Sequence, residues 1–244
     1  MSEAAPLQNR APGASEAPRR AKIGRIVNNR RLRRSQHLHS AAVSLAGIAG
    51  IVAAVLLAAL VRPVSALDVE LFLAFFLAIG LGVTVGFHRH FTHRAFKATP
   101  GTRAALAILG CMAAQGPVVF WVALHRLHHE FSDRPGDPHS PNLSGSSAWQ
   151  RARGLFHAYI GWTVRHEVPN ANYYARDLLT DRGIMWVNRR YYTWVALGLA
   201  LPTALGGLAT ASCLGAAEGL IWGGLIRLFA CLLYTSDVAD DLTR

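Results

Sequence analysis

Charged residues are scarce in this sequence: only 16% of its 244 residues are charged, while 52% are hydrophobic. A soluble domain usually carries about 25% charged residues, so the composition excludes an ordinary soluble protein. Cysteine is scarce too. Cys111, Cys213 and Cys231 are odd in number and widely spaced, which argues against a disulfide framework and a zinc site. A membrane protein is the class that remains.

Acidic residues are nearly absent from the first 39 residues, which hold nine Arg or Lys side chains against Glu3 and Glu16. Such an arm could bind nucleic acid. Beside a membrane span, however, it more simply retains its end of the chain in the cytoplasm and contacts anionic lipid, so we expect membrane lipid and no nucleic acid as its partner. We predict that residues 1–35 form a disordered basic arm, because its first part has too little apolar surface to fold alone.

Long apolar runs, in contrast, are abundant. A helix needs about 20 apolar residues to cross the hydrocarbon layer, and four runs approach that length. These runs are residues 41–61, 71–87, 192–211 and 219–233. The predicted fold is therefore an all-α integral membrane bundle of about four transmembrane helices in two hairpins, with a cytoplasmic helical cap.

A further apolar stretch, residues 104–124, is interrupted at Gln115, Gly116 and Pro117. Proline and glycine disfavour a continuous helix at such a point. We expect a helix pair that lies in the bilayer or dips into it from one face, because a full span would put the histidines on its two sides into opposite compartments.

Six of the eleven histidines fall in two clusters, GFHRHFTHRAF at residues 86–96 and HRLHHEFSD at residues 125–133. In the second cluster, His125, His128 and His129 have the spacing i, i+3 and i+4. Their side chains would share one helix face and could converge on a metal. Imidazole suits iron, zinc and copper, so the pattern leaves the metal and the number of ions open.

The first cluster has a less regular geometry. His88 and His93 are five residues apart, about 140° around an ideal helix, so the helix must unwind or end there for both to bind one ion. His90 and His93, at i and i+3, are the geometric alternative. Spacing alone leaves this choice open.

At these residues the sequence resembles the membrane-bound acyl-CoA desaturase family. HRHFTH and HRLHH match its HxxxxH and HxxHH histidine boxes, residues 86–98 match GxHRxxxHRxFKA, and DPHSP follows at residues 137–141. The resemblance extends over roughly residues 30–230, and these motifs are jointly specific.

The resemblance implies a di-iron centre (two Fe²⁺) with dioxygen as co-substrate, and it decides against His90. The implied iron ligands are His88, His93, His125, His128 and His129. It also implies that Gln115 and Trp121 shape a bend in the substrate tunnel. From the residues alone, a helix-kinking amide and an interfacial aromatic explain these two equally well.

The resemblance implies the introduction of a cis double bond into a saturated fatty acyl chain carried as acyl-CoA or acyl-lipid, with delta-9 as one candidate position. Electrons would come from a ferredoxin, rubredoxin or cytochrome b5-type donor with its reductase. Arg151, Arg153 and Arg165 could contact such an acidic partner or the phosphates of CoA, or could be a lipid-facing basic strip. We expect a multi-pass protein of the bacterial inner membrane, with the N-terminus and both histidine boxes in the cytoplasm.

Two features near the second box bear on its role. Ala123 and Leu124 stand where animal members of the family carry polar groups that contact coenzyme A. Asp133 and Asp137 could orient the ligating imidazoles, or could simply form a turn.

The family's later ligands, an NSxxH histidine and a third box of HNxHH type, are absent from these 244 residues. We therefore interpret residues 36–233 as an incomplete desaturase domain. Residues 234–244 (YTSDVADDLTR) are interpreted as an unrelated polar tail that resembles a sequencing or assembly artefact. Because five ligands cannot fill two iron sites, we expect the chain as printed to be inactive or nearly so.

Two other functions fit the same histidines. A fatty acid or lipid hydroxylase begins with the same hydrogen abstraction on the same scaffold. A non-catalytic membrane protein could use the histidines to bind haem or a single metal ion.

Overall fold

The computed structural model describes residues 24–138, 140, 142–159, 161 and 167–241, and within these ranges it contains helices and turns but no strand. The α-helices are α1 Arg30–Leu60, α2 Ala66–Leu81, α3 Pro100–Met112, α4 Val118–Phe131, α5 Ala148–Tyr159, α6 Ala171–Tyr174, α7 Arg176–Leu179, α8 Arg182–Arg189, α9 Tyr191–Thr210, α10 Cys213–Gly219 and α11 Arg227–Asp241. The same ranges also contain two π-helices, Gly82–Thr92 and Leu220–Ile226, and a 3₁₀ turn, Asn142–Ser144.

Among the described residues, four helical segments are long and apolar enough to cross a membrane, as predicted. They are Arg30–Leu60, Ala66–Thr92, Tyr191–Thr210 and Cys213–Tyr234. The first two form one hairpin and the last two form another, so the all-α membrane bundle expected from the apolar runs is confirmed.

Glycines allow the transmembrane helices to approach closely. A Cβ atom on Gly50 of α1 would lie 2.5 Å from Cβ of Leu225, and one on Gly206 of α9 would clash with the carbonyl oxygen of Gly215. Helices in lipid associate through close van der Waals contact, which small residues permit. The bundle is therefore held by backbone proximity as well as by large apolar side chains.

The two hairpins are also linked at the end of the bundle that carries the α1–α2 turn. Arg62 in this turn forms an ion pair with Glu218 of α10, whose side chain is only 3% exposed. Ser65 and Asp68 form a capping box at the start of α2. A buried carboxylate next to a guanidinium thus joins the first hairpin to the second.

At the opposite end, the segment before α1 binds the stretch of chain that precedes α6. The Val27 amide donates to the carbonyl oxygen of Val168 at 2.9 Å, and the Asn170 amide donates to that of Arg25 at 2.8 Å. Arg25 also reaches Glu130 in α4 at 2.6 Å. The start of α1 and the second histidine box therefore share one side of the molecule. Residues 1–23 of the predicted arm lie outside the described ranges.

The interruption at residues 113–117 separates α3 from α4, as the sequence predicted. Ala114 and Gly116 have positive φ values of 59° and 115°. The Gly116 amide donates to the Tyr191 hydroxyl at 3.0 Å, and this hydroxyl lies 2.8 Å from Nε2 of His39. Because the chain reverses direction here, the histidines of α4 lie next to those in the helical segment that follows α2.

Candidate metal centre

The first histidine box lies on the π-helix Gly82–Thr92. A π-helix closes hydrogen bonds between residues i and i+5, and the His93 amide donates to the carbonyl oxygen of His88 at 3.1 Å. Residues five apart therefore stack along one side of the helix. The predicted unwinding is replaced by a widening of the helix, which ends at Thr92 as His93 is reached. The HxxxxH spacing fits this wider helix.

The second box lies on α4, and its histidines meet those of the first. The ligand nitrogens of four residues all lie within 4.8 Å of one another: His88, His93, His125 and His129. Successive Nε2 atoms are 3.1 Å apart from His88 to His93, from His93 to His129 and from His129 to His125. The two boxes thus form one imidazole cluster.

These distances fit a bound metal ion. Two imidazole nitrogens about 2.1 Å from an ion and at right angles to each other are about 3.0 Å apart. Four nitrogens at such separations form a donor set of the kind that iron, zinc and copper accept. The cluster could therefore hold one ion, with imidazole nitrogen as its only type of protein ligand.

His90 lies outside this cluster. Its Nδ1 atom is 3.0 Å from the carbonyl oxygen of Phe96, and its ring packs against Phe91 and Phe96. Of the two histidines between which spacing could not choose, His88 joins the cluster and His90 does not.

His128 is the one predicted ligand that the four-histidine cluster does not include. Its Nδ1 atom contacts the Asp137 carboxylate at 2.7 Å. A carboxylate on one ring nitrogen orients the other towards a metal, so His128 can offer Nε2 to an ion. Asp137 also accepts from the Asp133 amide at 2.9 Å, and Asp133 accepts from the Ser140 hydroxyl. Asp137 therefore combines the two roles considered for it, while Asp133 shapes the turn.

Two of the clustered histidines, His93 and His129, have lowered pKa values. Burial, followed by the nearby His93 and His128 rings, lowers the pKa of His129 to about 4. Burial and the Arg126 guanidinium lower the pKa of His93 below its usual value. Neutral imidazoles at physiological pH have the lone pairs that a metal requires.

Gln115 and Trp121 connect the cluster to a cleft of about 350 Å³. Gln115 lines this cleft, its Nε2 donates to the Cys231 carbonyl oxygen at 3.1 Å, and its Oε1 accepts from Nε1 of Trp121 at 3.2 Å. The Trp121 ring stacks on His125, with centroids 4.8 Å apart. The cleft lies between α1, residues 113–117, the start of α9 and the last helix. An unbroken set of contacts thus leads from the cleft to the candidate ligands.

Sequence reasoning missed the polar contacts that hold the two boxes together. Arg126, inside the second box, donates to both oxygens of Asp177 on α7, which Arg94 also contacts. Burial alone would raise the pKa of Asp177, but these two guanidinium groups outweigh it and lower the pKa to about 2. The one available signal was an arginine inside a histidine motif.

The predicted partner surface is only partly within the described ranges. Arg151 and Arg153 are exposed on α5, while Arg165 lies outside those ranges. Cys111 and Cys231 are buried and Cys213 is exposed, each as a free thiol. No cysteine joins the histidine cluster.

These features define a helical membrane protein with a cluster of four histidines that could hold a metal ion. The chain belongs to the fatty acid desaturase family, whose model, described as "Fatty acid desaturase", matches residues 69–240.

Three curated relatives show the range of this similarity. The hex-5-enoyl-[acyl-carrier protein] acetylenase of Moorena producens is 52% identical, over 68% of this chain and 53% of the relative. The sn-1 stearoyl-lipid 9-desaturase of Synechocystis is 34% identical, over 67% of this chain and 46% of the relative. Acyl-CoA desaturase 1 of Saccharomyces cerevisiae is 33% identical, over 67% of this chain and 30% of the relative. The chain thus spans about half the length of the first two and less of the third.

Proposed function

We propose that this chain serves a fatty acyl desaturase reaction in which a cis double bond is introduced into a saturated acyl chain. The observation that carries this proposal is the convergence of four imidazole nitrogens from the two histidine boxes of a fatty acid desaturase family member. The reaction balances when the acyl chain loses two vicinal hydrogens and dioxygen takes up these hydrogens, two electrons and two protons to give two waters.

We propose a di-iron centre. His88, His93, His125 and His129 would hold one iron ion, and His128, oriented by Asp137, would bind a second. Iron bound there would supply the oxidising power, drawn from dioxygen and two electrons, that an unactivated methylene requires. The low pKa of His129 supports this role, because a neutral ring can bind iron at physiological pH.

The cleft is the proposed binding site for the acyl chain. Its Gln115 holds the Trp121 indole, which in turn stacks on His125. A chain that follows the cleft would bend at these two side chains and bring a fixed pair of methylenes to the metal. The residues would thereby act by positioning the substrate and excluding water. We propose delta-9 selectivity, because the 34% identical relative is named as a 9-desaturase.

The acyl carrier is proposed to be acyl-carrier protein rather than coenzyme A or a glycerolipid. Two observations support this choice. The 52% identical relative is named for a hexenoyl group on acyl-carrier protein. Ala123 and Leu124, where animal members use polar groups for coenzyme A, are apolar and buried.

We further propose that both boxes face the cytoplasm of a bacterial inner membrane. The basic residues that precede and begin α1 support this orientation, since positive charge is retained on the cytoplasmic side. A ferredoxin, rubredoxin or cytochrome b5-type donor, with its reductase, would dock at this face. Exposed Arg151 and Arg153 suit an acidic electron donor.

A chimera tests the reaction. Residues 1–233 would be joined to the part of the Moorena acetylenase that follows the aligned region, and produced in a bacterium that makes saturated acyl chains. Gas chromatography with mass spectrometry should find alkenes that are lost in a His125→Ala/His129→Ala variant and retained in His90→Ala. Hydroxylated chains without alkenes would contradict desaturation in favour of the hydroxylase alternative. A haem Soret band in the purified protein would contradict the di-iron centre.

One observation favours a second candidate function. Because the 52% identical relative is named an acetylenase, the chain could instead dehydrogenate an alkene to an alkyne. The same chimera supplied with hex-5-enoate distinguishes the two. Alkynes from this acid, with no alkenes from saturated chains, would favour the acetylenase.

A further inference from the structure

Arg126 lies between His125 and His128 on α4, yet its guanidinium contacts the first histidine box. Nη2 donates to the carbonyl oxygen of Phe91 at 2.6 Å, and Nε donates to that of Thr92 at 3.3 Å. The residue that follows these two carbonyls is His93. One side chain of the second box therefore holds the backbone next to a ligand of the first.

These carbonyl groups need an external donor. The last carbonyls of a helix have no N–H partner within the helix, and the chain leaves the helical direction at Arg94, whose φ is 54°. Phe91 and Thr92 are both buried, at 2% and 8% exposure. A buried carbonyl without a donor is costly, so Arg126 caps the carboxyl end of the π-helix.

A third element fixes the guanidinium. Nη1 donates to Oδ1 of Asp177 at 2.8 Å and to the Tyr174 carbonyl oxygen at 2.6 Å, while Nη2 donates to Oδ2 of Asp177 at 3.1 Å. Such a two-pronged arginine–carboxylate pair has a defined geometry as well as a strong attraction. Asp177 therefore both compensates the charge of Arg126 and sets its orientation.

On the basis of the proposed metal centre, we propose that Arg126 is a positioning residue that sets the distance between the two histidine boxes. His93 adjoins the capped carbonyls, and His129 lies one helical turn beyond Arg126. Their Nε2 atoms are 3.1 Å apart. Without the arginine, the end of the π-helix would have no anchor on α4, and this separation would widen.

The chain provides a matched control. Arg94 also donates to Asp177, at 2.7 Å, but its side chain is 66% exposed. Arg94→Gln and Arg126→Gln each remove one cation from Asp177, whereas only Arg126→Gln leaves the π-helix carbonyls without their donor. Comparison of the two separates positioning of the box from a general electrostatic effect.

The test is a Co²⁺ titration of the purified 244-residue chain in detergent micelles, followed by visible absorption, which reports both affinity and ligand geometry. Arg126→Gln should weaken Co²⁺ binding at least about tenfold and change the spectrum. Arg94→Gln should stay within about twofold of the unsubstituted chain. Arg126→Lys should resemble Arg126→Gln, because an ammonium group cannot reproduce the fork of contacts.

Unchanged affinity and spectrum in Arg126→Gln would overturn the positioning role, as would an equal loss in Arg94→Gln. If circular dichroism shows that Arg126→Gln does not fold, Asp177→Asn is tested instead. A loss of Co²⁺ affinity of threefold or more supports the positioning role, and unchanged Co²⁺ affinity overturns it. An unsubstituted chain that binds no Co²⁺ would instead contradict the metal centre, and with it the proposed function.

Discussion

Tyr191 is a single side chain on which the turn before the second histidine box depends. Its hydroxyl accepts the Gly116 amide at 3.0 Å and lies 2.8 Å from Nε2 of His39, which also contacts the Ala114 carbonyl oxygen at 3.0 Å. Tyr191 is 4% exposed, so water cannot replace these contacts. The hydroxyl therefore holds the wall of the cleft in place.

Tyr191→Phe should lower the free energy of unfolding in micelles by about 1–3 kcal/mol, since it leaves a buried amide without an acceptor. Tyr192→Phe is the matched control, because Tyr192 is 66% exposed, and it should change stability by less than about 0.5 kcal/mol. Denaturant unfolding followed by circular dichroism measures both. Equal effects of the two substitutions would contradict this role for the hydroxyl.

Asp177 predicts an acid dependence of stability. Its pKa is about 2 in the folded protein against an ordinary value of 3.8, so its contribution is complete above about pH 4 and is lost as the pH falls from about 4 to about 2. Asp177→Asn should therefore flatten the stability profile over that range. Unfolding of both proteins at pH 2 to 6 measures the difference, and parallel profiles would show that Asp177 does not contribute.

Among the structural elements, the π-helix of the first box has the largest effect on the geometry of the histidine cluster. Its i to i+5 hydrogen bonds stack His88 and His93, which an α-helix would separate by about 140°. The spacing of five residues is therefore a structural requirement of this element as well as a family motif.

Deletion of Arg89, which is exposed, would leave the two histidines four residues apart and favour an ordinary α-helix. We expect Co²⁺ affinity to fall at least about tenfold while helical content is retained, because the ends of the box shift relative to α4. Arg89→Ala keeps the spacing and should bind normally. Normal binding by the deletion variant would show that the π-helix is dispensable.

The elements differ in how well the sequence predicts them. The spans follow from run length, because lipid requires about 20 apolar residues, and Gln115 to Pro117 correctly predicted the break between α3 and α4. The π-helix was not predicted, since a change of helical pitch leaves no distinct apolar pattern. The contacts of Arg126 join residues 34 to 51 positions apart, and local sequence carries no signal for such pairs.

At the scale of the whole molecule, the two hairpins form a scaffold whose one end carries the histidine cluster. The Arg62–Glu218 pair links the hairpins at the other end. Breaking a buried ion pair by removing one partner leaves an uncompensated charge, which is more harmful than replacing both partners.

Arg62→Ala should therefore lower the thermal unfolding midpoint in micelles more than the double substitution Arg62→Ala/Glu218→Gln does. Scanning calorimetry of the unsubstituted chain and the two variants measures their thermal unfolding midpoints. A double variant less stable than Arg62→Ala would indicate that the carboxylate has another role in the bundle.

The histidine cluster is the feature on which the proposed function rests. The family resemblance of two motifs implied five ligands; four of them meet in one cluster, and Asp137 contacts the fifth. Their convergence depends on the turn at residues 113–117 and on the wider helix. A spacing pattern can suggest such geometry but does not determine it.

X-ray absorption at the iron edge of the iron-loaded 244-residue chain is the decisive measurement of whether the histidine cluster binds iron. We predict nitrogen ligands at about 2.1 Å with the outer-shell scattering of imidazole, and loss of iron in His125→Ala/His129→Ala but not in His90→Ala. Sulfur ligands at about 2.3 Å, or full iron retention by the double variant, would contradict it.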